Sequence, residues 1–285
     1  MRWLTPTLVV ALVILAAAPA GATWSVVGVD PDTGQVGVAV ASCVELGALE
    51  VEDGFELVAL SPGNGAGVSQ AWFNPDARLE IQRLLDDGRA ADEIIAAVSD
   101  LDFDAEAEER QHGVVLLNGD TAGFTGKGNN EVARDVQGEN VSVQGNVLVS
   151  DEVISDAVVA FERDGDRSLS DRLVDALEAG SRAGGDSRCG DQTALFAHVS
   201  VIDDAGTREA PNVVDLTTWT ERGDGDNPVV ALAELHRAGT RFLTPDAEEL
   251  PSPGIPAWLW LVPLVLGGVL VGFWVFTRRA VAPES

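Results

Sequence analysis

Basic side chains are scarce in this sequence. Lys127 is the only lysine, tyrosine is missing, and 46 acidic residues against 18 basic ones give a formal net charge of −28. Without a basic patch to neutralise phosphates, nucleic acid is not expected as a partner. The acidic residues are spread along the chain without ligand spacing, which indicates a solubility strategy for high salt, where repulsion is screened. An acidic surface that binds cations or basic partners is the alternative.

Motifs for metal, phosphate and serine-hydrolase chemistry are also missing. His112, His198 and His236 lie far apart and show no HxxxH or HExxH spacing, so neither a metal site nor another cofactor is expected. No GxSxG sequence is present, which disfavours a serine hydrolase of the α/β type. The glycine-rich stretch 61–66 has no following lysine, so it does not match a phosphate-binding loop.

Cysteine occurs only twice, as Cys43 and Cys189. Outside the cytoplasm such a pair usually forms a disulfide, which is the favoured interpretation. Two free thiols or a redox-responsive pair are the alternatives.

The first 22 residues have the pattern of a secretion signal. Arg2 precedes an apolar run over residues 8–18, and Ala20 and Ala22 are the small residues that a signal peptidase needs. An uncleaved anchor is the alternative. Cleavage after Ala22 would leave Thr23 with a free α-amino group. An N-terminal threonine can act as a nucleophile, because its own amine can take the hydroxyl proton.

The C-terminal part has the pattern of a membrane anchor. An acidic, proline-rich linker over residues 244–254 precedes an uncharged apolar stretch at 255–277, which is long enough to span a bilayer. Arg278 and Arg279 then begin a tail over 278–285, which predicts that the tail is cytoplasmic and the large domain extracellular. Gly268 and Gly272 form a small-xxx-small pair, so a dimer is possible.

The region 23–243 between these ends alternates between groups of strands and groups of helices. This order predicts an α+β fold in which antiparallel sheet is covered by helical layers. Asn74 is expected to cap the first helix, with Pro75 in its first turn. The predicted strands cover residues 24–29, 36–41, 55–60, 67–72, 112–117, 121–125, 141–149, 194–202 and 213–218. The other predicted helices cover 91–98, 151–163, 169–183 and the stretch from 227 to 236.

Several short motifs in this region resemble, in order, those of the family called domain of unknown function 1028. They are Thr23–Val27 with the turn Asp30–Gly34, the strand 37–42, Gln70 with Asn74-Pro75, Gln144-Gly145-Asn146, and 183–186 with Gln192-Thr193-Ala194. The resemblance implies a four-layer αββα sandwich similar to that of the Ntn-hydrolases. It therefore favours Thr23 as the nucleophile of an amidohydrolase that acts on a small amide or peptide-like substrate.

The same resemblance suggests roles for residues near Thr23. Ser42 is expected beside Thr23 at the end of the neighbouring strand, and Asp186 is expected to orient the α-amine. Asn146, Asn74 or the backbone near Gly145 would supply donors for the oxyanion. The competing hypothesis is a non-catalytic cell-surface binding module on the same scaffold, in which Thr23 need not be free.

Overall fold

The structure is a computed structural model that describes residues 23–45, 55–129, 132–163 and 165–244. In chain order, these residues form eleven strands and five α-helices. The strands are β1 (Thr23–Asp30), β2 (Gln35–Ser42), β3 (Val58–Ser61), β4 (Gly65–Ala71), β5 (Arg110–Leu116), β6 (Thr121–Thr125), β7 (Arg134–Gly138), β8 (Val141–Asn146), β9 (Phe196–Ile202), β10 (Val214–Trp219) and β11 (Phe242–Leu243). The helices are α1 (Pro75–Asp86), α2 (Ala91–Val98), α3 (Glu152–Glu162), α4 (Leu169–Arg182) and α5 (Pro228–Arg237).

The strands form two sheets. The larger has seven strands in the order β11-β10-β9-β2-β1-β8-β7, and the smaller has four in the order β3-β4-β5-β6. All neighbouring strands are antiparallel except β10 and β11. The first strand, β1, therefore lies inside the larger sheet, between β2 and β8.

Both faces of the central strands are buried, which explains their long apolar runs. Odd-numbered residues of β1 such as Val27 and Val29 pack between the two sheets with Val68 of β4. Even-numbered residues such as Trp24 and Val26 pack against α3 and α4 on the other face of the larger sheet. Helices α1 and α2 cover the outer face of the smaller sheet. Polar side chains on the odd positions of β1 must therefore lie between the sheets.

The predicted fold class, which joined a four-layer sandwich to a C-terminal transmembrane helix, is wrong. The fold is mixed α+β, with two sheets and five α-helices among the described residues. Those helices have 8 to 14 residues, and none is long and apolar enough to cross a bilayer, which needs about 20 apolar residues. The anchor prediction depended on residues 255–277, which include Gly268 and Gly272, and on the tail 278–285. These residues lie outside the described residues. So do residues 1–22 and 245–254.

Most predicted elements lie within a few residues of the observed ones, and three differences have a physical cause. Strand β7 was not predicted, because its sequence Arg-Asp-Val-Gln-Gly is polar and it forms a sheet edge. The strand predicted at 55–60 begins at Val58, after a single 3₁₀ turn. Strand β8 ends at Asn146 rather than at residue 149, because Val147 adopts a φ of 53° that no extended strand allows.

Candidate functional site

Thr23 begins β1 at one end of the larger sheet, and two predicted site residues lie directly opposite it. Ser42 is its partner in β2, and Asn146 is its partner in β8. Because opposite residues of antiparallel strands have their Cβ atoms about 4.5–5.5 Å apart, the three side chains share one patch of the sheet. That patch faces the smaller sheet. The sequence therefore correctly predicted that Ser42 would lie beside Thr23.

Thr23 is held by contacts from both sheets. Its Oγ1 donates a hydrogen bond of 3.1 Å to Ser42 Oγ, and its carbonyl oxygen accepts one of 3.4 Å from Gln70 Nε2 of β4. Only 4% of its surface is exposed. The hydroxyl is thus already directed at a second hydroxyl in a buried, polar place.

Three buried glutamines connect the two sheets around this patch. Gln70 accepts a hydrogen bond of 2.7 Å from Ser25 Oγ and donates one of 2.8 Å to Gln111 Oε1. Gln144 donates to Ser25 Oγ at 2.6 Å. Gln111 donates to the carbonyl oxygen of Gly145 at 2.8 Å. A connected amide network in a low-dielectric interior fixes its members in one arrangement.

Asn146 is part of this network, with one end satisfied and the other free. Its Nδ2 donates a hydrogen bond of 3.1 Å to Gln111 Oε1. Its Oδ1 is fully buried and has no hydrogen-bond partner among the described residues. A buried acceptor without a donor is costly, so this oxygen needs a donor that the described residues do not supply.

Two residues with strained backbones follow the network residues nearest to Thr23. Ala71, directly after Gln70, has a φ of 74°, and Val147, directly after Asn146, has a φ of 53°. A left-handed conformation costs an L-residue about 1–2 kcal/mol, and it is a genuine outlier for a β-branched side chain. Such strain is often retained at functional sites. The positions of Gln70 and Asn146 are thus maintained at some cost.

Cys43 and Cys189 form a disulfide, the pairing favoured from the sequence, next to Ser42. The bond joins the end of β2 to the loop before β9. Asp186 of that loop is fully buried and accepts hydrogen bonds from the Cys43 amide at 2.8 Å and from Arg188 Nη2 at 2.8 Å. Its carboxylate therefore supports the end of the strand that carries Ser42. Contact between Asp186 and the Thr23 amine stays a prediction.

Asn74 caps helix α1, as its sequence predicted. Its Oδ1 accepts from the amide of Asp76 at 3.0 Å, and its Nδ2 donates to Asp104 Oδ2 at 2.7 Å. Asp104 also forms a buried ion pair with Arg110, whose hydrogen bond is the main reason that the pKa of Asp104 is lowered to about 2. These contacts give Asn74 a structural role. Its proposed donation to an oxyanion stays a prediction.

A cavity of about 430 Å³ lies beside the network at the edges of both sheets. Thr125 forms part of its wall and accepts a hydrogen bond of 2.9 Å from Gln111 Nε2. Gln111, which also accepts a hydrogen bond from Asn146, therefore links the wall of the cavity to the network. Its lining residues are Thr125, Gly126, Lys127, Asn129, Val132, Ala133, Arg134 and Asp135.

The glutamine network was not predicted as part of the site. Gln70, Gln144 and Ser25 appeared in the resemblance motifs, but Gln111 did not. A signal was present: Ser142, Gln144 and Asn146 are polar at every second position of β8, although both faces of that strand are buried. Alternating polar residues within a doubly buried strand indicate a polar layer between sheets.

Comparison with known proteins gives a match to the profile described as "Family of unknown function (DUF1028)" over residues 23–222. The chain belongs to this family. A solved DUF1028 structure, the crystal structure of protein SPO2555 from Silicibacter pomeroyi, is similar with a TM-score of 0.61 and 25% identity, covering 78% of this chain and 87% of that one. No curated protein matches the chain.

The DUF1028 match begins at Thr23 and therefore leaves out the predicted signal. It contains Ser42, Asn146, both cysteines and all three glutamines of the network. The polar layer between the sheets is thus entirely within the part of the chain that defines the family. Helix α5 and strand β11 lie beyond it.

Proposed function

We propose that this DUF1028 protein is an exported amidohydrolase whose nucleophile is the hydroxyl of an N-terminal Thr23. One observation carries the proposal. Thr23 directly follows the predicted cleavage site and is the first residue of the family match. It is held between the sheets, opposite Ser42 and Asn146. An ordinary first residue of a mature domain would need no buried polar layer around it.

The proposed reaction proceeds in two steps. The α-amine of Thr23 takes the proton from Oγ1, and Oγ1 forms a bond to the amide carbon of the substrate. The carbon–nitrogen bond then breaks, and the leaving amine takes the proton from the α-ammonium. Water subsequently attacks the ester and releases the acid and the free hydroxyl of Thr23. The α-amine, with an ordinary pKa of about 7.7–8.0, is partly neutral near pH 7.

The surrounding side chains support these steps. Ser42 holds the hydroxyl in place in the resting protein through the 3.1 Å hydrogen bond. Asn146 donates only one hydrogen bond through Nδ2, to Gln111, and the second N–H would bind the oxyanion. Removing one such donor typically costs about 3 kcal/mol of transition-state stabilisation.

The substrate proposed is a small amide or peptide-like molecule. The neighbouring cavity of about 430 Å³ has the size typical of small-molecule sites. The protein would act outside the cytoplasm, as the predicted signal suggests, and the Cys43–Cys189 disulfide supports this because disulfides persist in oxidising compartments.

The first test is the mass and the N-terminal sequence of the protein isolated from its native cells. A mature chain that begins with unmodified Thr23 is expected. Amide substrates are then screened with the parent, Thr23→Ser and Thr23→Ala. Thr23→Ser should keep activity, whereas Thr23→Ala and a chemically blocked amine should lose it. Full activity in Thr23→Ala would refute the proposal.

A non-catalytic binding module is the second candidate, and the cavity favours it. Its lining includes Lys127 and Arg134 but not Thr23, so a ligand could bind there without contacting the hydroxyl. In that case Thr23→Ala would leave ligand binding unchanged, whereas changes to the cavity wall would weaken it.

A further inference from the structure

The unpartnered oxygen of Asn146 is the starting point. Two buried contacts determine which end of this amide is free. Gln111 directs its own NH₂ group to the carbonyl oxygen of Gly145 at 2.8 Å and to Thr125 Oγ1 at 2.9 Å. The Oε1 of Gln111 must therefore point the other way, where it accepts from Asn146 Nδ2 at 3.1 Å. The Oδ1 of Asn146 therefore lies at the opposite end of the amide from this bond, and it is left as an acceptor without a donor among the described residues.

A donor for this oxygen must come from close by. Asn146 lies directly opposite Thr23 in the ladder between β1 and β8. The Cα atoms of such a pair are only about 4.5–5.5 Å apart, so the backbone nitrogen of Thr23 is a donor in the immediate neighbourhood of the Asn146 side chain. In the unprocessed chain that nitrogen is an ordinary peptide N–H. In a chain cut after Ala22 it becomes an ammonium group with three donors.

We propose that Asn146 Oδ1 is the acceptor for the N-terminal ammonium of mature Thr23, so that removal of the leader completes the buried polar layer and stabilises the domain. This inference rests on the cleavage after Ala22 that is part of the proposed function. It adds a consequence that does not depend on catalysis. The leader would not only cover the amine but would also leave the domain with an unsatisfied buried oxygen until it is removed.

The position of the amine also follows from this contact. Asn146 links the amine to Gln111, and Gln70 links Gln111 back to the carbonyl oxygen of Thr23. The amine nitrogen and the carbonyl oxygen of Thr23 are then held by one closed network. Asn146 is thus a positioning residue for the proposed base.

A double-mutant cycle tests the inference without any substrate. Four chains are compared: residues 23–285 with a free Thr23 amine and residues 22–285 with Ala22 retained, each as the parent and as Asn146→Ala. In the parent background, the chain starting at Thr23 should melt roughly 3 °C or more above the chain that keeps Ala22. In the Asn146→Ala background this difference should disappear.

The scarcity of lysine provides a second, independent measurement. A chain starting at Thr23 has only two amines, the α-amine and the ε-amine of Lys127, whose side chain is 91% exposed. Labelling both with an amine reagent over a pH series gives the pKa of the α-amine, with Lys127 as the internal control. An ammonium donates a stronger hydrogen bond than a neutral amine. Asn146→Ala should therefore lower the pKa of the α-amine by about one unit and leave the labelling of Lys127 unchanged.

A further variant should shift the pKa of the α-amine in the direction opposite to that of Asn146→Ala. Asn146→Asp would place a negative charge beside the amine and should raise its pKa. The inference would be overturned if the chains starting at Thr23 and at Ala22 differed in melting temperature by the same amount in the parent and in the Asn146→Ala background. It would also be overturned if neither substitution changed the pKa of the α-amine. Either result would show that a water or another group satisfies Oδ1. A clear coupling together with full amide hydrolysis by Thr23→Ala would refute the proposed function and leave the inference standing.

Discussion

At the scale of single residues, the main feature is a set of three buried glutamines that each donate and accept within the interior. Gln111 is the centre of this set, since its Oε1 accepts from both Gln70 and Asn146 while its Nε2 reaches Gly145 and Thr125. Side-chain amides are rarely fully buried, and they persist there only when their partners are complete. This residue therefore determines how the amides next to Thr23 are oriented.

Replacing this central amide should be strongly destabilising. Gln111→Leu keeps a side chain of similar length, but it removes the acceptor of Asn146 Nδ2, the nearest acceptor of Gln70 Nε2, and the donor to Thr125 Oγ1 and to the carbonyl oxygen of Gly145. Each unsatisfied buried group costs about 1–3 kcal/mol, so the free energy of unfolding should fall by roughly 3 kcal/mol or more. Urea unfolding followed by circular dichroism measures it. Gln137→Leu, at an exposed site of β7, is the matched control and should change stability by less than about 0.5 kcal/mol.

A second residue-scale prediction concerns His112, which faces the helices α1 and α2 from β5. It is fully buried, and burial lowers its pKa to about 3, with a smaller contribution from Arg110. Neither ring nitrogen has a hydrogen-bond partner among the described residues. The folded state therefore binds this proton less readily than the unfolded chain, whose histidine has a pKa of about 6.5. Below pH 6.5 the fold should lose about 1.4 kcal/mol per pH unit at this residue, until the folded pKa is reached.

The substitution His112→Leu removes this dependence. At pH 7 the variant should be close to the parent, since no hydrogen bond is lost. At pH 5 it should be more stable than the parent by about 2 kcal/mol, which is 1.5 pH units of the slope above. The midpoints of urea unfolding of the parent and the variant at pH 5 and pH 7 test this prediction. If the stability of both proteins had the same pH dependence, that result would contradict the buried, neutral state of the His112 ring.

At the scale of elements, the N-terminal end of β1 is fixed by links that are distant in sequence. The disulfide between Cys43 and Cys189 has a sequence separation of 146 residues and anchors β2 directly after Ser42. Arg222 donates to the carbonyl oxygen of Cys43 at 3.3 Å and to that of Arg188 at 3.1 Å. The strand end beside Thr23 is thus held by both covalent and polar contacts.

Loss of this crosslink should destabilise the whole fold. A Cys43→Ala/Cys189→Ala double variant should lower the free energy of unfolding by about 4 kcal/mol, because the long loop restricts the unfolded chain. Thermal unfolding with and without reductant measures the effect. The parent should lose the same stability on reduction, whereas the double variant should not respond to reductant. A parent that is insensitive once its disulfide is fully reduced would contradict this prediction.

How far the sequence predicts these elements depends on which physical signal each one carries. Helix α2 was predicted at its observed bounds, and Asn74 and Asn227 were correctly placed at helix starts because capping depends on neighbouring residues. Strand β7 was not found, because its pattern depends on pairing with β8, which is not local information. Thr23 and Ser42 could be paired through a short hairpin. Gln111 could not be placed near Asn146, since no local signal joins residues of two different sheets.

At the scale of the whole molecule, the dominant property is its charge. A formal net charge of −28 means that acidic side chains repel one another across most of the surface. Self-repulsion favours expanded states, and it is screened within about 10 Å at 0.1 M salt and about 3 Å at 1 M. Among the described residues, the surface ion pairs, such as Arg83 with Glu80 and Asp87, involve only a minority of the acids. Folding stability should therefore depend strongly on salt.

The stability of the parent should rise steeply between 0.1 and about 1 M KCl, where screening changes most, and more slowly above it. Salting-out would instead continue to increase stability across the whole range, so the shape of the curve separates the two causes. A triple variant Asp156→Asn, Asp224→Asn and Glu234→Gln changes only exposed acids and reduces the net charge from −28 to −25, since three negative charges are removed. It should melt above the parent at 0.1 M KCl and close to it at 2 M. If the difference in melting temperature were independent of salt, local contacts of these side chains rather than long-range repulsion would be responsible.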